Sequence, residues 1–445
     1  MQLVSETATD GIAGPGAPTI FPILDGVDLS DIAQFTQGQP YGDYARMRAQ
    51  APVMWHAEPY GGPGFWAITR HADVMAVNGD PTTFSSRKGG ILMAHGDPQK
   101  RHALLYRASM DTMINLDAPE HLQLRREHMP YFTPSYLRGV TEAVRAEVGR
   151  LLDKMAPLGR CDLVENFSSH LPLFTLCEIL GVPAEDRGKF LKWMHYLEMA
   201  QDLALKQATA PITPTLELMQ FVQDFNINVE EMFDYGRTML HKRRLDPQQD
   251  LMSAIARAQV DGQLLSDEYL DGSWLLIVFA GNDTTRNTLS GAMKLLTEFP
   301  DQKARLIADP SLMGGAVNEF IRMVSPVIYM RRTATRDAEI AGQTIREGEK
   351  VVMYYGAANR DETAFPDPDR LDITRPNADK HIAFGYGPHT CIGKRVAQIQ
   401  LEEAYRQILA RFPDIHATGE MTIAPNNFVH AISKLEVAFT PGGRA

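Results

Sequence analysis

Cysteine is scarce in this 445-residue chain: Cys161, Cys177 and Cys391 are the only three, an odd number at wide spacing. No disulfide framework follows from such a set, and no oxidising compartment is implied. The paired Cys/His spacings of a structural zinc site are missing as well. No stretch approaches the roughly 20 apolar residues that span a bilayer. The most apolar one, "WLLIVFAG" at 274–281, is far shorter. The opening "MQLVSETATDGIAGPGAPTIFP" lacks the basic start and apolar run of a signal peptide. Basic residues (44) are outnumbered by acidic ones (55), and the net charge of −11 argues against bulk attraction to nucleic acid or anionic membrane. There is no repeat of 20–50 residues and no flavin or nicotinamide fingerprint. These absences lead us to expect a cytoplasmic protein with no membrane anchor and no nucleic-acid partner.

What is present is a 44% apolar composition long enough to bury a large core without disulfides. Residues 1–20 read as a flexible lead, and 21–445 as a single domain. "VMWH" and "FWAITR" are short β-rich runs around "AEPYGGPG", a hairpin pattern. From there to about residue 330 the pattern is mostly helical. The clearest helix starts at Ser266, a good N-cap, with Asp267 and Glu268 in its first turn. It runs to "LLTEF" before Pro300, roughly 30 residues or ~45 Å, and its middle is apolar almost all round, hence central and buried. Residues 338–355 are β-like, "NFVHAISKLEVAF" reads as a strand pair, and a helix follows Cys391 with Ala397, Leu401, Ala404, Ile408 and Phe412 on one face. The fold class is therefore mainly α with small β-sheets.

Chemistry concentrates in "FGYGPHTCIG", residues 384–393. Cys391 could be a buried structural thiol, a nucleophile awaiting a histidine base, or a single thiolate ligand to haem iron. The last option accounts for its neighbours. Gly385 and Gly387 allow a tight loop whose N–H groups approach the sulfur, and the helix after Cys391 turns its positive end toward it. Gly393 would let that first turn approach a flat ring, and Phe384 could pack on it.

The decapeptide resembles the cysteine-ligand loop of the cytochrome P450 superfamily, with Phe384, Gly385, Gly387, His389, Cys391 and Gly393 at matching positions. Three further signatures follow the same resemblance. "AGNDTT" at 280–285 is similar to the family's central-helix motif. There Thr284 can bond a carbonyl one turn back, near Ala280, and Asp283 with Thr284 would manage protons. "NEFIR" supplies Glu319 and Arg322 three apart on one helical face. The resemblance implies that they are buried and joined by a downstream arginine, here Arg370 of "FPDPDRLD", although Leu371 stands where the family usually has Phe. "DAPEHLQLRR" places His121 and Arg125 at i and i+4, and the resemblance adds Arg332 and His389 as contacts to haem propionates.

The resemblance implies a single-domain P450 fold with a long central helix over haem b, its iron ligated by Cys391. It implies a monooxygenase that inserts one atom of dioxygen into a C–H bond. Electrons would come from a separate ferredoxin or flavodoxin with its NAD(P)H-dependent reductase, docked near Lys394, Arg395, Arg125 and Arg126. Its substrate contacts map to Ile114, Leu276, Phe279, Ala280, Val327, Ile328, Met330, Phe428 and Val429, mostly apolar, as for a terpene, alkane or steroid-like molecule. Residues 87–113, with the Gly89–Gly90 pair, are expected to form a lid. A peroxide-driven peroxygenase and a non-catalytic haem sensor are the competing functions.

Overall fold

The computed structural model describes residues 2–5, 20–91, 102–209 and 215–442. Of the lead expected at 1–20, Gln2–Ser5 (β1) pairs antiparallel with Ile20–Ile23 (β2), and 6–19 lies outside the described residues. After helix α1 (Tyr41–Gln50), strands β3 (Val53–His56) and β4 (Phe65–Ile68) form the expected antiparallel hairpin, with Val53 opposite Ile68. Helix α2 (His71–Gly79) and the short strand β5 (Phe84–Ser85) follow. Next come α3 (Ala103–Met110), α4 (Glu120–His128), α5 (Pro134–Met155), strand β6 (Arg160–Asp162) and the long α6 (Leu216–Leu245). Part of the expected lid, 92–101, lies outside the described residues.

The central helix forms where its apolar run predicts, but in two pieces, α7 (Asp267–Ala280) and α8 (Asp283–Glu298). Ser266 caps it as expected, its Oγ accepting from Tyr269 N–H at 3.4 Å. The break at Gly281–Asn282 has a local cause: Thr284 Oγ1 donates to the Ala280 carbonyl at 3.3 Å, competing for the backbone bond that would continue the helix. α7 is fixed by its neighbours. Buried Asp271 accepts two bonds from Arg237 of α6, at 2.8 and 2.6 Å. A Cβ on Gly272 would overlap the Asp111 carbonyl just after α3, so glycine is what lets α3 lie this close to α7.

Helix α9 (Met313–Val324) leads into β7 (Tyr329–Ala334), the hairpin β8 (Ala338–Ile340) and β9 (Gln343–Ile345), and β10 (Lys350–Tyr354). The expected β character of 338–355 is thus present. β10 lies parallel to β4 and antiparallel to β7, giving a five-stranded sheet in the order β3–β4–β10–β7–β5. Its two faces carry separate apolar clusters, Val352 and Tyr354 on one and Val351 and Met353 on the other. The helices share a third, larger core. After the Cys391 loop comes α10 (Lys394–Arg411), then β11 (His416–Ala417), β12 (Thr422–Ala424), β13 (Ala431–Lys434) and β14 (Glu436–Ala438). The last two are strands, as expected of "NFVHAISKLEVAF", but they do not pair with each other. β13 pairs with β12, and β14 with β11 and β6, because only Leu435 separates them and no hairpin turn fits.

Candidate active site

Gly385 and Gly387 both adopt φ of 71°, a left-handed conformation that glycine takes at little cost. A Cβ on Gly387 would also collide with the Asn78 carbonyl. The loop so bent is closed by the Cys391 N–H donating to Phe384 O at 2.8 Å. Backbone N–H groups of Gly393 and Lys394 then point at Cys391 Sγ. Burial pushes the thiol up, while these two donors, Arg125 and Lys394 pull it back toward the thiolate. Cys161 and Cys177 are sealed in the helical core, whereas Cys391 keeps an exposed face. Gly393 has only that sulfur near the place of a Cβ, and Phe384 is half-buried with Lys394 Nζ 5.7 Å from its ring centre.

A basic cluster surrounds this loop. Arg332, only 3% exposed, donates to Arg331 O at 2.7 Å and meets Asn78 Oδ1 at 3.4 Å. Arg125 donates to Thr390 O at 2.6 Å, tying α4 to the cysteine loop. Among the described residues neither guanidinium has a carboxylate partner. His121 and His389 stack with ring centres 3.9 Å apart. Burial first, then Arg125 and Arg332, lower His121 to about 4; burial, then Arg332, lowers His389 to about 2. Both imidazoles are neutral near pH 7 and act as hydrogen-bonding groups. His389 bonds the Leu116 carbonyl and lies 3.3 Å from Ser86 Oγ. The buried Arg332 and the half-buried Arg125, neither paired with a carboxylate among the described residues, make a receptor for carboxylates.

On the central helix, accessible surface appears around the break: Ala280 is exposed, and Leu276, Phe279, Asp283 and Thr284 are partly so. Asp283 and Thr284 are adjacent but not hydrogen-bonded to each other. The Asp283 carboxylate accepts from Asn282 Nδ2 at 3.2 Å and lies 3.6 Å from Arg286, and burial raises its pKa despite that arginine. Ile114, Val327, Met330 and Val429 are half-buried, with Val327 bridged to Val429. Phe428 is half-buried too, its ring against Tyr329 with centres 5.4 Å apart. Ile328 departs from its expected role: it is 1% exposed and packed with Tyr329 and Val352 in a core cluster, out of reach of a ligand.

The Glu319–Arg322 pair is fully buried and bidentate, at 2.7 and 2.8 Å. Its third member is Arg375, not Arg370. Arg375 Nε reaches Glu319 at 3.0 Å, and its other nitrogens bond the carbonyls of Pro366, Asp367 and Arg370. The chain turns through Asp367 (φ 48°), so Arg370 contributes its carbonyl to this set. Besides Arg375, sequence reasoning missed Asn78, Ser86 and Asp117. Asp117 fixes the loop beside His389 by accepting from Ser86 N–H at 2.9 Å and Ser85 Oγ at 2.5 Å. Its place just ahead of His121 in "DAPEH" was the available signal; Asn78 had none.

The family model described as cytochrome P450 matches residues 87–437. The chain belongs to the cytochrome P450 family. This P450 is 33% identical to a linalool 8-monooxygenase of Pseudomonas putida, over 93% of this chain and 99% of that protein. It is 32% identical to a steroid C26-monooxygenase of Mycobacterium tuberculosis, over 93% and 97%. A solved cytochrome P450 of Mycobacterium marinum in complex with pseudoionone superposes with a TM-score of 0.82 at 34% identity, covering 94% and 99%. Cytochrome P450s carry a cysteine-ligated haem, and this one is a monooxygenase. Its residues fit that group: a cysteine with an exposed face whose sulfur meets two N–H donors, and the buried Arg332 and half-buried Arg125, neither with a carboxylate partner among the described residues. No helix among the described residues is long and apolar enough to cross a membrane.

Proposed function

We propose that this P450 hydroxylates a C–H bond of a terpenoid or steroid-like molecule, with electrons from a separate ferredoxin-type protein. The observation that carries this reading is the accessible window of Leu276, Phe279 and Ala280, apolar and directly followed by Asp283 and Thr284. The relatives' named substrates, a terpene alcohol and a steroid, agree with it.

When bound, the haem supplies the oxygen activation and C–H oxidation. The chain's own part begins with Cys391, whose Sγ would ligate the iron; burial raises its pKa, and the Gly393 and Lys394 N–H groups act against that rise and favour the thiolate. Arg125 and Arg332 would hold the two propionates, with the stacked imidazoles of His121 and His389 as further hydrogen-bonding groups for them. Asp283 keeps a proton on its carboxyl closer to neutrality than an ordinary aspartate, and passes it toward Thr284 Oγ1 by side-chain rotation or one water. For partner docking, Arg126 and Arg395 are exposed, Arg395 bonding Glu402 at 2.8 Å, while Arg125 and Lys394 are half-buried. Exposed arginines suit an acidic ferredoxin.

The test is product formation from linalool or a sterol side chain by holoenzyme. It is run with NADH, a ferredoxin and its reductase, and separately with hydrogen peroxide alone. We expect oxidised product with the electron chain and at least ~10-fold less with peroxide, since the proton-managing acid and hydroxyl are in place. Equal rates would favour the peroxygenase, and no product from either the sensor.

A further inference from the structure

Arg286 is a buried cation in an unfavourable place. The central helix breaks at Gly281–Asn282, so Asp283 is the first residue of α8. Arg286 sits in the same first turn, its N–H donating to Asn282 O at 3.1 Å. The positive end of a helix disfavours a cation, and burial disfavours it again. Arg286 carries both costs, its side chain only 8% exposed. Helix formation therefore gives no reason for an arginine here.

What it faces is the Asp283 carboxylate. Arg286 Nη2 lies 3.6 Å from Asp283 Oδ1, and the aspartate side chain is itself only 15% exposed. Exposed pairs three residues apart contribute little, but this one is largely shielded from water and salt, so its charges act more strongly on each other. The length matters as much as the burial. At 3.6 Å the attraction acts without the short bidentate lock that joins Arg322 to Glu319. The Asn282 amide also donates to Oδ1, at 3.2 Å. Both contacts fall on one oxygen, which leaves Oδ2 to exchange a proton with Thr284 or a water. Burial raises this carboxyl's pKa against Arg286 and Asn282, the groups acting on it among the described residues.

We infer that Arg286 is the positioning residue of the proton path: it holds Asp283 through Oδ1 and sets how readily the carboxyl releases its proton toward Thr284. A neutral side chain at 286 would leave burial opposed by the Asn282 amide alone, and the proton would be held more tightly. The inference rests on the proton-relay reading of Asp283, and its test separates the two.

Turnover of linalool by holoenzyme with NADH, a ferredoxin and its reductase is measured against pH for the parent, Arg286→Gln, Arg286→Lys and Asp283→Asn. In the parent the rate falls as pH rises through the Asp283 pKa. An opposite charge at this range moves a carboxyl's titration by about 1 pH unit or more, so Arg286→Gln should carry that fall upward by about as much. Arg286→Lys, which keeps the charge, should stay within about 0.5 pH unit of the parent. Haem content and the ferric spectrum should not change. Arg286→Met, which asks for no partner in a buried site, serves in place of Arg286→Gln if that variant loads no haem. Added to Asp283→Asn, Arg286→Gln should alter the profile no further. A rate lowered equally at every pH, with the fall unmoved in the neutral variants, makes the arginine merely structural and overturns the inference while the relay stands. A parent that makes no product or lacks the fall, or a fall that survives in Asp283→Asn, overturns the relay and its positioning residue together.

Discussion

Glu319→Ala should cost about 3–5 kcal/mol of stability and yield little haem-loaded protein, because it strands two buried cations at once. Arg322 is 0% exposed and Arg375 8%, and among the described residues Glu319 is the carboxylate paired with each. Glu319 also accepts the Asp372 N–H at 3.1 Å, so the loss reaches the loop leading toward Cys391. Surface ion pairs rarely exceed ~1 kcal/mol, and this one differs because neither water nor another acid can replace the carboxylate. Urea unfolding of both variants measures the loss. Arg375→Ala should approach the same penalty. Arg370→Ala, which keeps its carbonyl, should stay within about 0.5 kcal/mol of the parent. A large effect at Arg370 with a small one at Arg375 would contradict the geometry.

Asp283→Asn is expected to slow product formation about 10²-fold while leaving haem content and ligand-induced spectral shifts unchanged. The amide fills the same space but cannot release a proton. Because burial raises the Asp283 pKa, its protonated form persists to higher pH than that of an ordinary aspartate. Turnover limited by this proton should therefore fall as pH rises through that raised value, and the Asn variant should lose that limb of the profile. Steady-state rates against pH with the electron-transfer chain measure both. Parent-like turnover in Asp283→Asn would remove the carboxyl from the proton path.

How much of this was legible in the sequence depended on whether the cause was local. The Cys391 loop was readable because its glycines act within ten residues, and both adopt the positive φ that such a loop requires. The central helix was readable from its apolar run and cap. Its interruption was foreshadowed by Thr284, one turn after Ala280, although the full break at Gly281–Asn282 was not. Arg375 was missed because its partner is chosen by the path of the Pro366–Arg370 turn, and a backbone path leaves no periodic mark. Ile328 was misjudged for a similar reason. The residues before β7 are pinned by the Ile328 N–H donating to Phe428 O at 2.8 Å, which sets this side chain into the core. Asn78 belongs to a helix more than 250 residues away from its partner Arg332, a contact only tertiary structure creates.

The central claim is that Cys391 is the sulfur on the haem iron, and the ferrous–CO spectrum of the purified holoenzyme tests it most directly. The unaltered protein should show the red-shifted band of a thiolate-ligated haem, and Cys391→Ser should lose that band while Cys161→Ser and Cys177→Ser retain it. A thiolate band that survives in Cys391→Ser would contradict the account, as would its absence from the unaltered holoenzyme.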